Sequence, residues 1–526
     1  MIKRSLEPGN SPDISHSQPT VIFDLDGTLL HYKMHCFKVL IGLLCLIPIA
    51  AGAQSREAGG EPVRISVEDK IHGFGKNYDP DIYSPKSAVF SKDGKKIYVN
   101  SLEGGKTVVY DSSTREKLKT ISHTFNSGQG DLWLEPSEFY SFTHYPEGRS
   151  RSFMGKPVEG ALSKDGRYLF VSYYRRTFDI NAQDPSAIAV IDTATDEIVL
   201  MIETGPLPKM VKVSNDGKLL AVTHWGDNTV GLIDISDKNP KNWRYLSSIP
   251  IGRKLNLNFS LDTPVNRDAN SGFLLRGTAF LPGDSILLVG GMAGPLAVID
   301  VRKRKWLGGF SSLHGVRHLT AKGGRIYMSR NSAGELVMVP VDSVVKAIGR
   351  GTAGTGNYTV NGIERVKVGA GARTLQVSPS GRFVFIACNN SSEIVVVDAE
   401  EKKVINRIAA DSYPVGLDIS PDGLQLVSTS QGHNGIGGNA VNFFRLEYAI
   451  PEVPINDEAA IEDGPAVPAD TTALTSAPDS EARATDDAQA GGNASTPILA
   501  IGIGILLLGI ILFAVRLLRH RRQEDK

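Results

Sequence analysis

Along residues 85–447 the hydrophobic pattern repeats one unit: an apolar run, a Ser-x-Asp-Gly turn, and a second apolar run. It reads AVFSKDGKKIYV (88–99), GALSKDGRYLFV (160–171) and VKVSNDGKLLAV (211–222), then, degraded, TAFLPGDSILLV (278–289) and HLTAKGGRIYM (318–328). LQVSPSGRFVFI (375–386) and LDISPDGLQLVS (417–428) bring the count to seven. An Asp-Gly or Ser-Gly pair supplies the positive φ of a tight hairpin, and flanking β-branched and aromatic residues favour strands. A third run follows most copies, as in TVVYDSST (107–114), AIAVIDTATD (187–196), TVGLIDIS (229–236), PLAVIDVR (295–302) and EIVVVDAE (393–400). A fourth closes the unit, as in KLKTI, IVLMIE and VINRI.

Four short antiparallel strands repeated radially are propeller blades. The pattern therefore predicts an all-β, seven-bladed β-propeller over residues 54–450. No segment carries a 3.6-residue period strong enough to place helices between the strands. The seventh copy lacks its own fourth strand, and the isolated apolar stretch at 62–71 (PVRISVEDKI) is expected to complete it and close the ring. Closure removes the open sheet edges that would invite aggregation.

These units resemble the YVTN family of propeller repeats, with its strand, SPDG-type turn and V-D-x-x-T strand, over roughly residues 62–447. The resemblance implies the propeller fold and leaves function open, since such propellers bind, scaffold or catalyse. Copies four and five depart from the turn motif, and copy five has Val339-Pro340 in place of the V-D pair.

The ends have a different character. From Met34, a short start with Lys38, an apolar run from Val39 to Ala50 and Ala51-Gly52-Ala53 form the pattern of a secretory signal peptide over 34–53. Residues 498–515 hold no charge and no proline, and Arg516, Arg519, Arg521 and Arg522 follow. That is a transmembrane helix over 497–518, with a basic tail (519–526) kept cytoplasmic by the positive-inside rule. Residues 451–496, rich in Ala, Asp, Pro, Thr and Ser, read as a disordered linker. The expected product is a single-pass membrane protein with its propeller outside the cytoplasm, periplasmic in a Gram-negative cell.

Residues 23–30 (FDLDGTLL) resemble the first motif of the haloacid dehalogenase phosphatases, where Asp24 would be the nucleophile and Asp26 the general acid/base. A leader begins ten residues later and the repeats beyond it are all-β, so the motif lacks the fold its chemistry requires. Residues 1–33 are read as a spurious or remnant extension with no catalytic role, with Met34 as the expected initiator.

Charge adds one feature. Lys plus Arg and Asp plus Glu both number 57, which argues against a dedicated nucleic-acid binder. Yet the position five residues before the Ser of each turn reads Lys86, Val158, Lys209, Arg276, Arg373 and Val415, with Arg317 within one residue of it in the fifth copy. In a propeller that position lies where the inner strand enters the central channel. Converging cations there would attract an anion, either a small acidic ligand or a carboxylate on a partner protein. A second register, after the second strand, offers Tyr173-Tyr174-Arg175-Arg176, His224-Trp225, Arg330-Asn331, Asn389-Asn390 and Gln431-Gly432-His433. His224 joins the candidate ligand-binding set from there.

No catalytic constellation, metal site or cofactor is expected. His314 and His318 have a helical ligand spacing but approach a strand, and no CxxCH haem attachment is present. The competing reading is a propeller enzyme, lactonase-like or quinoprotein-like. Two long insertions remain: 122–157, rich in aromatics (Phe125, Trp133, Phe139, Tyr140, Phe142, Tyr145), expected to pack or to meet a partner, and 252–273.

Overall fold

The computed structural model describes residues 62–455, except 76, 141–152, 177–178, 180–181, 257–265, 352–355 and 434–436. The leader, the phosphatase-like motif, residues 456–496 of the linker, the apolar span, the basic tail, His144, Phe142 and Tyr145 lie outside the described residues. Among the described residues, no helix is long and apolar enough to cross a membrane.

Seven sheets follow one another around a ring, so the protein is an all-β, seven-bladed propeller. The inner strands of blades 1 to 7 are Pro85–Phe90, Phe153–Leu162, Pro208–Val213, Leu275–Phe280, Val316–Lys322, Ala372–Val377 and Pro414–Ile419. Blade 7 takes its outer strand from the other end of the chain. Val63–His72 pairs antiparallel with Ala440–Tyr448, from Val63 opposite Tyr448 to His72 opposite Ala440. Both ends of the propeller chain therefore leave at the face that carries the Ser-x-Asp-Gly turns, opposite the mouth where the inner strands begin.

The turn motif has a local cause. Ser91 Oγ donates to Asp93 Oδ1 at 2.6 Å and accepts from Lys96 N at 2.9 Å, while Gly94 adopts φ 72°. The same arrangement recurs at Ser214, Asp216 and Gly217, with φ 81°. Serine thus clamps both arms of the hairpin, and glycine alone takes the left-handed turn without strain.

Hydrophobic burial runs between blades. Tyr98, Val109 and Ile121 of blade 1 pack with Leu169, Val171 and Ala187 of blade 2. The closing strand contributes to two such layers: Val63 and Ile65 pack against Phe383 and Phe385 of blade 6, and Ile71 against Ile97 and Val99 of blade 1. Each fully buried aliphatic side chain is worth about 1.5–3 kcal/mol, so each seam is a substantial core.

Three features correct the uniform four-stranded, helix-free expectation. A short strand, Thr124–Phe125, extends blade 2, and Gly356–Asn357 adds a parallel fifth strand to blade 4. Blade 5 carries an α-helix, Val341–Arg350, between its third strand and its fourth, Glu364–Lys367. Val341 and Val344 lie one turn apart on its buried face, joining the core shared by blades 4 and 5. The period was present but spanned only ten residues, directly after the apolar strand Glu335–Pro340.

Candidate functional site: the cationic mouth of the channel

Each of the seven inner strands breaks register with its neighbour near its start. The shifts fall between Pro85 and Ser87, Pro157 and Gly160, Pro208 and Val211, and Leu275 and Thr278. They recur between Val316 and His318, Ala372 and Leu375, and Pro414 and Gly416. A β-bulge re-aims the residues it contains. Lys86, Lys209, Arg276, Arg317 and Arg373 all sit in these bulges, each as the second residue of its inner strand.

Neighbouring blades hold the bulges in place. The carbonyl of Arg276 accepts from Thr223 Oγ1 at 2.9 Å, and that of Arg373 accepts from the Ser329 hydroxyl. Thr374 Oγ1 donates to the carbonyl of Val415 at 2.6 Å. Backbone groups freed by the bulge are thereby satisfied across the blade seams.

The bulges bring the cations together. Lys209, Arg276, Arg317 and Arg373 line one cavity of about 20 Å³ with Glu159 and His318. Lys86 lies within electrostatic reach of Arg373, Arg276, Arg317 and Glu159. Burial, then repulsion from Arg373, Arg276 and Arg317, drives the Lys86 ammonium well below its ordinary pKa. Burial and Arg373 together lower Arg276 to about 10, and burial with Arg276 lowers Lys209. Burial pushes the Glu159 carboxyl up, against the pull of Lys86 and the three arginines. Five basic side chains thus converge beside Glu159, and Asp268 acts on Lys209 from the flank that also holds Arg175.

Aromatic faces stabilise part of this charge. Lys209 Nζ sits 3.6 Å from the Tyr174 ring centroid and 4.8 Å from that of Trp225, whose ring also stacks on Arg276 at 4.2 Å. Such contacts are worth about 0.5–2 kcal/mol each. They do not satisfy hydrogen-bond donors, and Arg276 Nε is buried without a partner among the described residues. An orphaned guanidinium donor beside a cavity suits an anionic oxygen.

Below the mouth, a second layer holds Lys212, His318 and Asp418. Burial raises the Asp418 carboxyl to about 7, opposed by the Phe90 N–H at 2.8 Å and by Lys212. Burial and Lys212 lower His318 to about 4, so its imidazole is neutral near pH 7.

His224 stands apart from the mouth. Its ring is fully buried, with Nε2 2.7 Å from Thr204 Oγ1 and Nδ1 2.9 Å from Thr229 Oγ1. Burial lowers it to about 3, which makes it a neutral structural link in blade 3. Tyr173, from the same sequence register, is likewise buried, its hydroxyl 2.7 Å from His123 Nδ1. Glu159 was not in the predicted register, which picked out Val158. Glu159 is the next residue along, in the same position as Met210, Gly277 and Thr374, which line the same cavity, and an acid following Val158 was the available signal. Among the described residues, no three His, Cys, Asp or Glu side chains are grouped to share a metal ion.

No family model matches the chain, so the likeness to YVTN repeats rests on the repeat motif. Antigen Lp49 of Leptospira interrogans is 26% identical over 175 residues, covering 28% of this chain. The chain spans 37% of the length of that curated relative. Among solved structures, Kuenenia stuttgartiensis hydrazine synthase aligns over 70% of this chain and 98% of its own, with TM-score 0.47 and 14% identity. The Cps50 (Swd1) β-propeller domain of Myceliophteria thermophila aligns over 73% of this chain and 99% of its own, with TM-score 0.48 and 11% identity.

Proposed function

We propose that this propeller is a non-enzymatic binding module whose channel mouth receives one anionic group of its ligand. The observation that carries the reading is the convergence of Lys86, Lys209, Arg276, Arg317 and Arg373 on a cavity with Glu159 as the facing acid. Two unit charges roughly 7 Å apart in a protein of effective dielectric about 20 repel by about 2 kcal/mol. A bound carboxylate or phosphate oxygen relieves several such pairs at once. The cavity, at about 20 Å³, has room for the centre of a single water-sized group, so one oxygen of the anionic group enters while the rest of the ligand stays at the rim.

The module works at a membrane in this reading, exported by residues 34–53 and tethered by 497–518, with the mouth outside the cytoplasm. What supports this is the apolar span with its basic flank and the leader pattern. Protease added to cells stripped of any outer membrane should then digest the propeller and spare a tag placed after residue 526.

The direct test of the mouth is titration of the full chain with acetate and inorganic phosphate, read by thermal shift. Both anions are expected to raise the melting temperature at low salt. Arg276→Gln with Arg373→Gln should melt slightly higher without anion and lose at least about tenfold in affinity, or 1.4 kcal/mol. Equal affinity in the double variant would reject the site.

A further inference from the structure

The face around the mouth carries a second feature that a small ion does not explain. Between the closing strand and blade 1, residues 73–75 and 77–84 lie at the mouth side of blades 7 and 1. The acids of this segment hold it down. Asp79 Oδ2 accepts from the buried Tyr110 hydroxyl at 2.7 Å and Asp79 Oδ1 from Lys117 Nζ at 2.8 Å. Asp81 accepts from Lys106, from Lys117 at 3.0 Å and from Thr120 at 2.7 Å. Burial opposes ionisation of Asp81, but these bonds outweigh it and keep the carboxyl well below the usual range.

The aromatics of the same segment are left outside. Phe74, Tyr78 and Tyr83 are 51%, 58% and 56% exposed, three of the most exposed large apolar side chains within ten residues of chain. The segment is continuous with the mouth. Gln431 donates to Ser84 Oγ at 2.6 Å and accepts from Lys86 Nζ at 3.4 Å. Tyr413, whose ring stacks on exposed His433 at 5.3 Å, prolongs the aromatic rim over blade 7.

Resting on the anion-binding reading above, we propose that this face docks an acidic segment of a partner protein. One carboxylate of the segment enters the mouth, and its flanking apolar side chains lie on Phe74, Tyr78 and Tyr83. The complementarity runs both ways: five converging basic side chains attract negative charge, and pinned, exposed aromatics are the anchors that protein interfaces favour. Val63 and Tyr448, the outer ends of the closing pair, lie at the other face.

Charge placement selects a protein segment over other anionic partners. The cations are buried or half-buried within the channel, where a protruding loop reaches and a flat bilayer does not. Nucleic acid needs an exposed basic stripe along the face, and the whole chain balances its charges.

The test uses the full chain in detergent and a fluorescein-labelled nonapeptide of alternating Glu and Leu, read by anisotropy. The peptide is expected to bind, and its Gln-for-Glu counterpart to bind at least about tenfold more weakly. The variant carrying Phe74→Ala, Tyr78→Ala and Tyr83→Ala should lose about tenfold for the peptide while keeping wild-type affinity for acetate. Because these side chains point to solvent, its melting temperature should stay near that of the wild type; Tyr78→Ala alone, at a smaller loss, guards against a folding defect. Wild-type peptide affinity in the aromatic variant overturns the docking proposal and leaves the anion site standing. Tighter binding to phosphatidylglycerol vesicles than to the peptide overturns it in favour of a membrane surface. Failure of acetate, phosphate and peptide alike removes the anion site, and the docking proposal with it.

Discussion

Single residues in the channel set its response to pH. Asp418 holds its proton more tightly in the folded protein than in the unfolded chain, since burial raises its carboxyl from 3.8 to about 7. A raised carboxyl contributes stability that is full below about pH 4 and is lost as the pH climbs through 7. At pH 8 the folded protein must hold this buried carboxylate charged, with Lys212 and the Phe90 N–H in partial compensation. Asp418→Asn keeps an acceptor for Phe90 and removes the charge. It should raise stability at pH 8 by on the order of 2–4 kcal/mol, given about 1.4 kcal/mol per pKa unit, and the gain should vanish near pH 4. Urea denaturation at the two pH values measures it, and equal gains at both would mean that Asp418 is not held protonated. The cation register could be read from the sequence because a fixed offset from a local turn motif maps onto one level of the channel. Glu159 falls outside that offset, because two successive residues of a bulge can line the cavity, as Lys209 with Met210 and Arg373 with Thr374 do. His224 shows the opposite limit: a polar residue at a strand end looks the same in sequence whether it meets ligand or, as here, Thr204 and Thr229.

Elements differ in how much of their placement is local. The hairpins were legible because Ser, Asp and Gly within four residues build the turn themselves. The helix Val341–Arg350 was not, since its apolar positions continue a strand that already reads Leu-Val-Met-Val. The aromatic insertion after blade 1 was legible as packing material, but its destination was not. Its backbone bridges to blade 2, where Leu134 N donates to Met201 O at 2.8 Å, and Tyr140 then reaches blade 3. There the Tyr140 hydroxyl meets Asp227 Oδ2 at 2.6 Å, Thr229 Oγ1 at 2.8 Å and Ser248 Oγ at 2.8 Å, in full burial. Residues 123–140 thus form a strap lacing three blades. Tyr140→Phe should cost about 1–3 kcal/mol, the penalty for leaving a buried acceptor short of a donor. Tyr140→Ala should cost about 3–5 kcal/mol by adding a cavity. Chemical denaturation separates the two, and a negligible cost for both would show that the strap does not bear on blade 3.

At the scale of the whole molecule, stability depends on a ring that the chain must close with its own beginning. Val63–His72 lies hundreds of residues from its partner strand, so loop closure precedes any reward from pairing. Once formed, the strand joins both seams of blade 7, through Val63 and Ile65 toward blade 6 and through Ile71 toward blade 1. A propeller with every seam packed has no weak edge from which one blade can peel, so a lesion in the closing strand should be felt in all seven. Val63 is fully buried, and Val63→Asp places an unpaired carboxylate there, at a cost of several kcal/mol. Trp225 in blade 3 and Trp306 in blade 4 report from distant parts of the ring. If closure is cooperative, the variant should shift the entire tryptophan transition to lower urea in one step, with no early phase confined to blade 7. It should also aggregate at concentrations where the wild type is monodisperse, because the freed edge of Ala440–Tyr448 presents unpaired backbone groups. Loss of hydrogen-exchange protection in 440–448 alone, with the tryptophan transition unmoved, would show instead that the seventh blade opens independently and that the other six stand without it.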